Sequence, residues 1–309
     1  MGAGPGPGAA TGTGAPGSGR AGHYSLPVAR TPVLAAVAAA LRCPVCAGPV
    51  RAGDTAVSCD RGHSFDIARQ GYVTLAAGRA GPGTGDNAAM VAARDAFLGG
   101  GHYQPVADAV AGLAARLRPG TGGLVVDLAG GTGYYLARVL DELPGRLGAC
   151  VDRSAPALRR AARAHPRAVA VGADAWQPLP LADGSAALVL SVFGPRNPAE
   201  TRRLLAPGGQ LIVATPGADH HRELRSALGL IGIDEHKAAR LAQAHRDFSG
   251  GTLTPVRYPL RLGHADLTNL VAMGPSARHI DPATLAGRVA ALPDPVTVTV
   301  DVQVRSYLA

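Results

Sequence analysis

From residue 122 onward, short β-branched runs alternate with Ala- and Arg-rich stretches of helical length, the rhythm of βαβ units around a parallel sheet. The runs "LVVDLA", "LGACVD", "AVAVGAD", "AALVLSVF" and "QLIVATP", beginning at Leu124, Leu147, Ala168, Ala186 and Gln210, are the expected strands. A final "VTVTVDVQVRSYL" from Val296 alternates strictly. It reads as a late antiparallel strand paired with "TPVRYPLRL" from Thr254. The fold class is therefore α/β, with a Rossmann-like domain over residues 121–309. With 309 residues, of which 47% are hydrophobic, the chain can bury one substantial core and a smaller module. Residues 1–22 are almost entirely Gly, Ala, Pro, Ser and Thr and predict a disordered tail. The smaller module is expected over 23–78, entered by a short helix in "TPVLAAVAAALR". Residues 79–120 form a linker and bridging helices, with two helices broken at Gly99 to Gly101.

The smaller module holds three of the four cysteines. Cys43-x2-Cys46, then twelve residues, then Cys59-x3-His63 supplies four soft ligands in two knuckles, as tetrahedral zinc requires. Gly48-Pro49 and Gly53-Asp54 are turn formers that let a hairpin bring the pairs together. A redox CxxC would sit beside a βαβ pattern that is missing here, and a disulfide does not suit a cytoplasmic protein. With every ligand position filled by protein, the metal stabilises the module and leaves no open site for a catalytic water. Cys150, in an apolar strand, reads as a small buried hydrophobe.

The second motif is "LVVDLAGGTGYY". A strand running into Asp127, then Ala129, Gly130, Gly131, Thr132 and Gly133, then a helix opened by Tyr134, is the arrangement in which glycines let a ligand approach the backbone. The dinucleotide fingerprint fails in register, because its third glycine would fall on Leu136. The spacing suits the D-x-G-x-G-x-G loop of S-adenosylmethionine-dependent methyltransferases, with Ala129 in place of the first glycine. The next strand ends in Asp152, where a carboxylate can accept both ribose hydroxyls, and the one after it leads to Asp174 at the same edge. The alternative is that Asp152 or Asp174 only caps the following helix.

A net charge of +8 fits a polyanionic partner without requiring one. No apolar run reaches the roughly 18 residues that span a bilayer, and the start of the chain shows no charged and apolar leader pattern. A soluble, cytoplasmic protein with no membrane partner is expected.

With these motifs in place, the chain resembles the bacterial 23S rRNA guanine-N1-methyltransferases, zinc-containing enzymes that include members protecting producers of tylosin and mycinamicin. The resemblance runs from Leu41 to Tyr307. It rests on the zinc knuckles, "SFDIARQGYVTL", "GDNAAMVAARDAFLGGGHYQP", the glycine loop and "TPGADHHRELR", in that order. It implies methyl transfer from S-adenosylmethionine to N1 of a guanine in a 23S rRNA hairpin, macrolide resistance as a role, a zinc module that helps hold the RNA, and a homodimer with an RNA cleft between its subunits. Two departures stand out. Ala129 replaces a glycine, and "MGPSARH" from Met273 lacks two aromatics that some members carry.

Guanine N1 bears a proton and lies on the Watson–Crick edge, so the base must be unpaired or flipped out and something must accept the proton. Asp86, His102 and His220 lie in matching segments and are candidates. Their structural alternatives are a helix N-cap for Asp86, a partly buried support for His102 and a helix-start ligand for His220. Phe193, after the fourth strand, can stack on the base, and Arg196 can meet phosphate. Arg61, Arg69, Arg79 and Arg94 are the further RNA-binding candidates, the alternative being that some arginines near a Cys3His zinc only neutralise its net negative charge. A small-molecule methyltransferase with an accessory zinc ribbon is the competing function.

Overall fold

The computed structural model describes residues 1, 2, 4, 31–76, 85–195, 197–230 and 248–309. Most of the tail expected over 1–22, most of the Gly-rich linker, and the candidates Arg79 and Arg196 lie outside the described residues.

The apolar runs become strands of one sheet. β5 (Leu124–Leu128), β6 (Gly148–Asp152), β7 (Ala168–Gly172) and β8 (Ala186–Val192) run parallel. β9 (Leu205–Pro216) continues them, parallel to β8. Almost every residue of β5 to β8 is buried, as expected for central parallel strands covered on both faces. The two alternating segments form the antiparallel pair β10 (Leu253–Leu262) and β11 (Val296–Leu308), which joins the sheet through β9. With β4 (Tyr72–Thr74) at one edge, the order is β10-β11-β9-β8-β5-β6-β7-β4. Because the chain leaves β5 toward β6 on one side and returns to β8 on the other, the sheet has its switch point at β5. Its ligand-binding edge is therefore the carboxyl ends of β5, β6 and β8.

Helices α2 (Ala88–Gly99) and α3 (Gln104–Ala114), the expected pair broken near Gly100, pack with α4 (Tyr134–Glu142), α5 (Ala155–Ala164) and the later α6 (His264–Ala272) and α7 (Pro282–Ala290) into one core. Asn87 caps α2 by accepting the Met90 amide, so the cap is Asn87 and not its neighbour Asp86. The helix at the entry, α1 (Thr31–Ala38), packs on the zinc module, whose strands β1 (Val50–Ala52), β2 (Ala56–Cys59) and β3 (Ser64–Asp66) form a small antiparallel sheet.

The zinc module is built into the larger domain. Leu41 forms an antiparallel bridge with Leu181, and the Arg42 amide donates to the Pro180 carbonyl at 2.9 Å. β4 (Tyr72–Thr74) then leaves the module and adds an edge strand to the large sheet, parallel to β7. Leu41, Val50 and Val57 share a second core with Val73, Val126, Val171, Leu179 and Leu181 on the other face of the sheet.

Leu41 is fully buried at this junction, so Leu41→Ala should destabilise the protein by about 2–5 kcal/mol, read as a shift of the urea unfolding curve. An unchanged curve would mean that the module docks without packing.

Candidate active site and metal centre

The two knuckles converge. Cys43, Cys46, Cys59 and His63 place one ligand atom each within 4.8 Å of one another. Cys46 Sγ stands 3.7 Å from Cys59 Sγ, and His63 Nδ1 stands 3.5 Å from Cys43 Sγ and 3.3 Å from Cys59 Sγ. Around tetrahedral zinc, with metal–ligand bonds of about 2.0–2.3 Å, ligand atoms stand about 3.5–3.8 Å apart, so the donor set fits that ion. Local backbone aims the ligands. Ala47, in the left-handed region at φ 56°, turns the first knuckle, and Gly62 turns the second, donating its amide to the Cys59 carbonyl. Burial pushes the Cys59 thiol up, but the Arg61 and His63 amides and the His63 ring outweigh it and draw the pKa to about 6, toward the thiolate that ligates metal.

At the switch point, Gly130 lies directly over the end of β5. A Cβ there would fall 2.6 Å from Asp127 Oδ2 and 2.7 Å from Cys150 Sγ, so only glycine lets the loop close down. Gly133, at φ 80°, turns the chain into α4, where a side chain would strike Ala164 of α5. Ala129 also adopts a left-handed conformation, at φ 53°, a placement that costs a non-glycine residue about 1–2 kcal/mol. The alanine is thus accommodated at the price of backbone strain. Gly131 donates its amide to Asp152 Oδ2 at 2.9 Å, and the Ser154 amide donates to Oδ1 at 2.8 Å. Asp152 therefore ties the loop after β5 to the turn after β6, and Ser154, not Asp152, caps α5. Asp174 receives the Trp176 amide at 3.0 Å and pairs with Arg153 at 3.2 Å. Tyr134 is turned toward α3, its hydroxyl donating to Gln104.

Two buried polar atoms at this edge, Asp127 Oδ2 and Tyr135 Oη, have no partner. Asp127 is 1% exposed, and burial, reinforced by the charge of Asp152, pushes its pKa up to about 8. Burial also raises Asp152, against the pull of the Ser154 and Gly131 amides. A carboxyl with one unpartnered oxygen beneath a glycine loop, beside a second carboxylate at the next strand end, fits a cofactor that carries positive charge and ribose hydroxyls, as S-adenosylmethionine does.

The segment before α2 covers this loop. The Asp86 carbonyl accepts the Ser154 hydroxyl at 2.6 Å, and its carboxylate is shared by Arg94, through a short ion pair, and Arg278. Arg94 also donates to the Met273 carbonyl at 2.7 Å and reaches over Gly131. Arg94 therefore holds "GDN" and "MGPSAR" against the cofactor loop.

Across the crevice, Phe193 follows β8 at φ 55°, a rare conformation for a bulky side chain, and is 39% exposed. A Cβ on the next residue, Gly194, would lie 3.0 Å from the Leu128 carbonyl oxygen, so this turn rests on the glycine loop. The Phe193 ring stacks on His220 at 6.2 Å, and His220 stacks on His221 at 3.8 Å. Tyr103, 3% exposed, sets its hydroxyl 3.2 Å from Nε2 of His220 and 3.0 Å from Nε2 of His221. The Asp301 amide donates to His220 Nδ1 at 3.2 Å. This assigns the proton of neutral His220 to Nε2, facing Tyr103, whose own hydroxyl proton goes to His221. Burial draws His221 down to about 3, so it stays neutral. Both ring nitrogens of His220 are thus engaged, which suits a fixed ring better than a proton acceptor. His102 is held elsewhere, on Asp266 at 3.3 Å and against the Phe97 ring. Arg61 and Arg69 are exposed on the zinc module.

The sequence places Tyr103 only among the aromatics interleaved with the arginines of the RNA-holding region, and does not single out His221. The only signal for their pairing is that both stand in the "GHYQP" and "TPGADHH" segments, whose meeting across 118 residues no local pattern reveals. Among the described residues no helix is long and apolar enough to cross a membrane.

Fold, glycine loop and metal knuckles together define a Rossmann-like S-adenosylmethionine-dependent methyltransferase with an N-terminal zinc ribbon. A family model for the N-terminal zinc ribbon of RlmA matches residues 41–76. A Streptomyces fradiae protein named 23S rRNA (guanine(748)-N(1))-methyltransferase is 51% identical over 264 residues, covering 85% of this chain and 94% of its own. A Micromonospora griseorubida protein assigned as a 23S rRNA (guanine-N(1)-)-methyltransferase is 50% identical over 285 residues, 86% of this chain and 96% of its own. A Bacillus subtilis protein with the same assignment is 31% identical over 60% of this chain. The chain belongs to the 23S rRNA (guanine-N1)-methyltransferase family.

The Asp127 carboxyl gives a testable pH dependence. Its folded pKa lies above its unfolded value, so the native state holds a proton that the unfolded chain releases between about pH 4 and 8. Over that window the native state loses stability as pH rises. Asp127→Asn removes the titration, so the difference in unfolding free energy, variant minus wild type, should grow with pH up to about 8 and then level off. A difference independent of pH would mean that Asp127 is ionised in the fold.

Proposed function

We propose that this chain transfers the methyl group of S-adenosylmethionine to N1 of a guanine in a 23S rRNA hairpin. The observation that carries the reading is the 51% identity to an enzyme named for that atom, in a chain that keeps all four metal ligands and the glycine loop.

The cofactor, when bound, supplies a methyl group already activated as a sulfonium, so the protein's task is alignment and exclusion of water. Asp152 would hold the ribose, the backbone of residues 129–133 would pack against the cofactor, and Asp174 stands ready at the next strand end. Phe193, braced by the glycine loop and by His220, supplies a flat face for a base taken out of its stack. Tyr103 and His221 act behind it, locking the His220 ring. For the N1 proton, His102 is tied to Asp266 and both nitrogens of His220 are engaged. Asp86 stands beside the cofactor loop with Arg94 and Arg278 on its carboxylate, held as firmly as the two histidines. The exposed Arg61 and Arg69 of the zinc module meet phosphates of the hairpin. Homodimeric assembly, a cytoplasmic location and protection against macrolides belong to this reading through the family.

Incubation of the protein with labelled cofactor and 23S rRNA fragments, followed by primer extension, tests it. N1 methylation blocks base pairing, so reverse transcriptase should halt at one guanine only when both protein and cofactor are present. Labelled cofactor consumed on a small metabolite, with no stop on RNA, would overturn the proposal in favour of a small-molecule methyltransferase.

A further inference from the structure

The chain has a single tryptophan, Trp176, and its side chain is 62% exposed, although indoles are usually well covered. The segment bearing it is held on every side. Its amide donates to Asp174 Oδ1 at 3.0 Å, the Gln177 amide closes a turn onto the Asp174 carbonyl at 2.9 Å, and Asn197 donates to the Ala175 carbonyl. Asp174 is anchored in turn by Arg153, and the Leu179 amide donates to the buried Glu200 at 2.6 Å. The backbone beneath this exposed indole is thus already fixed, which lowers the ordering cost of using it as a binding platform.

Its position adds the second observation. The loop leaves β7 at the cofactor edge, with Asp174 paired toward β6 and Ala175 buried. Four residues beyond Trp176 the chain reaches Pro180 and Leu181, the docking points of Arg42 and Leu41 of the zinc module. Trp176 therefore stands on the stretch that joins the methyl-transfer crevice to the metal-bound module.

We infer that Trp176 stacks on an unpaired base of the RNA, next to the guanine that enters the crevice, and so sets the register between the zinc module and the target. The inference rests on the function proposed above. An exposed aromatic face is a usual platform for single-stranded bases, and it tolerates any base because each has a π-face.

Because no other tryptophan contributes, selective excitation of the indole in the intact zinc-containing protein reports on this position alone. Titration with a 23S hairpin in the presence of S-adenosylhomocysteine should quench the emission saturably, while S-adenosylhomocysteine alone leaves it unchanged. Trp176→Ala should raise the KM for RNA about tenfold and Trp176→Phe less, with cofactor affinity and melting temperature unaltered. If the hairpin is methylated but the emission does not respond, if the cofactor product alone produces the whole change, or if the alanine variant keeps its KM, the inference fails and the methyltransferase reading stands. If no RNA is bound or methylated, both fail.

Discussion

The junction between the zinc module and the large sheet is the contact on which the rest of the molecule depends. Two backbone pairings make it, the Leu41–Leu181 bridge and the β4–β7 ladder, and a shared apolar core fills the space between them. A module joined only through a flexible linker would sample many orientations. One that donates a strand to the catalytic sheet holds a single geometry, and whatever binds its exposed arginines is delivered at a set distance from the cofactor edge. The metal enters the same account, because the buried Cys43 and Cys59 belong both to the ligand set and to the shared core. Zinc binding is thereby coupled to folding of the junction.

At the other end of that geometry the crevice concentrates strain and unsatisfied polarity. Among the described residues four non-glycine residues have positive φ, and three of them, Ala129, Phe193 and His221, border the crevice. At adjacent strand ends, burial raises the carboxyls of Asp127 and Asp152, and the charge of Asp152 adds to the cost of ionising Asp127. Such features persist only where surrounding structure over-determines them, and here the bracing is visible: Gly194 on the Leu128 carbonyl, Asp152 across two loops, Tyr103 between two histidines.

What could be read from the sequence was whatever a short window encodes. The β-branched runs became β5 to β9, and the strict alternation after Val296 became an antiparallel strand with its expected partner. Ligand spacing in the knuckles sufficed to bring four donors together, because a metal site is set by a few local turns. Contacts between distant segments were not legible. Tyr72–Thr74 is too short to announce which sheet it joins, and Arg94 looks like any basic residue until Asp86, Gly131 and the Met273 carbonyl surround it. At Asp86 and Asn87 the ambiguity was a single residue: either side chain can cap a helix, and the cap went to Asn87, leaving Asp86 for the ion pairs.

The central claim is that a metal-stapled module presents RNA to a cofactor crevice on the sheet it is built into. It is tested most directly by stripping the metal with a chelator and measuring methyl transfer to a 23S hairpin and cofactor binding on the same sample, before and after zinc is restored. The account predicts that transfer to RNA disappears and returns with zinc, while the cofactor still binds, since its loop rests on β5 and β6. Full methylation by metal-free protein would contradict it.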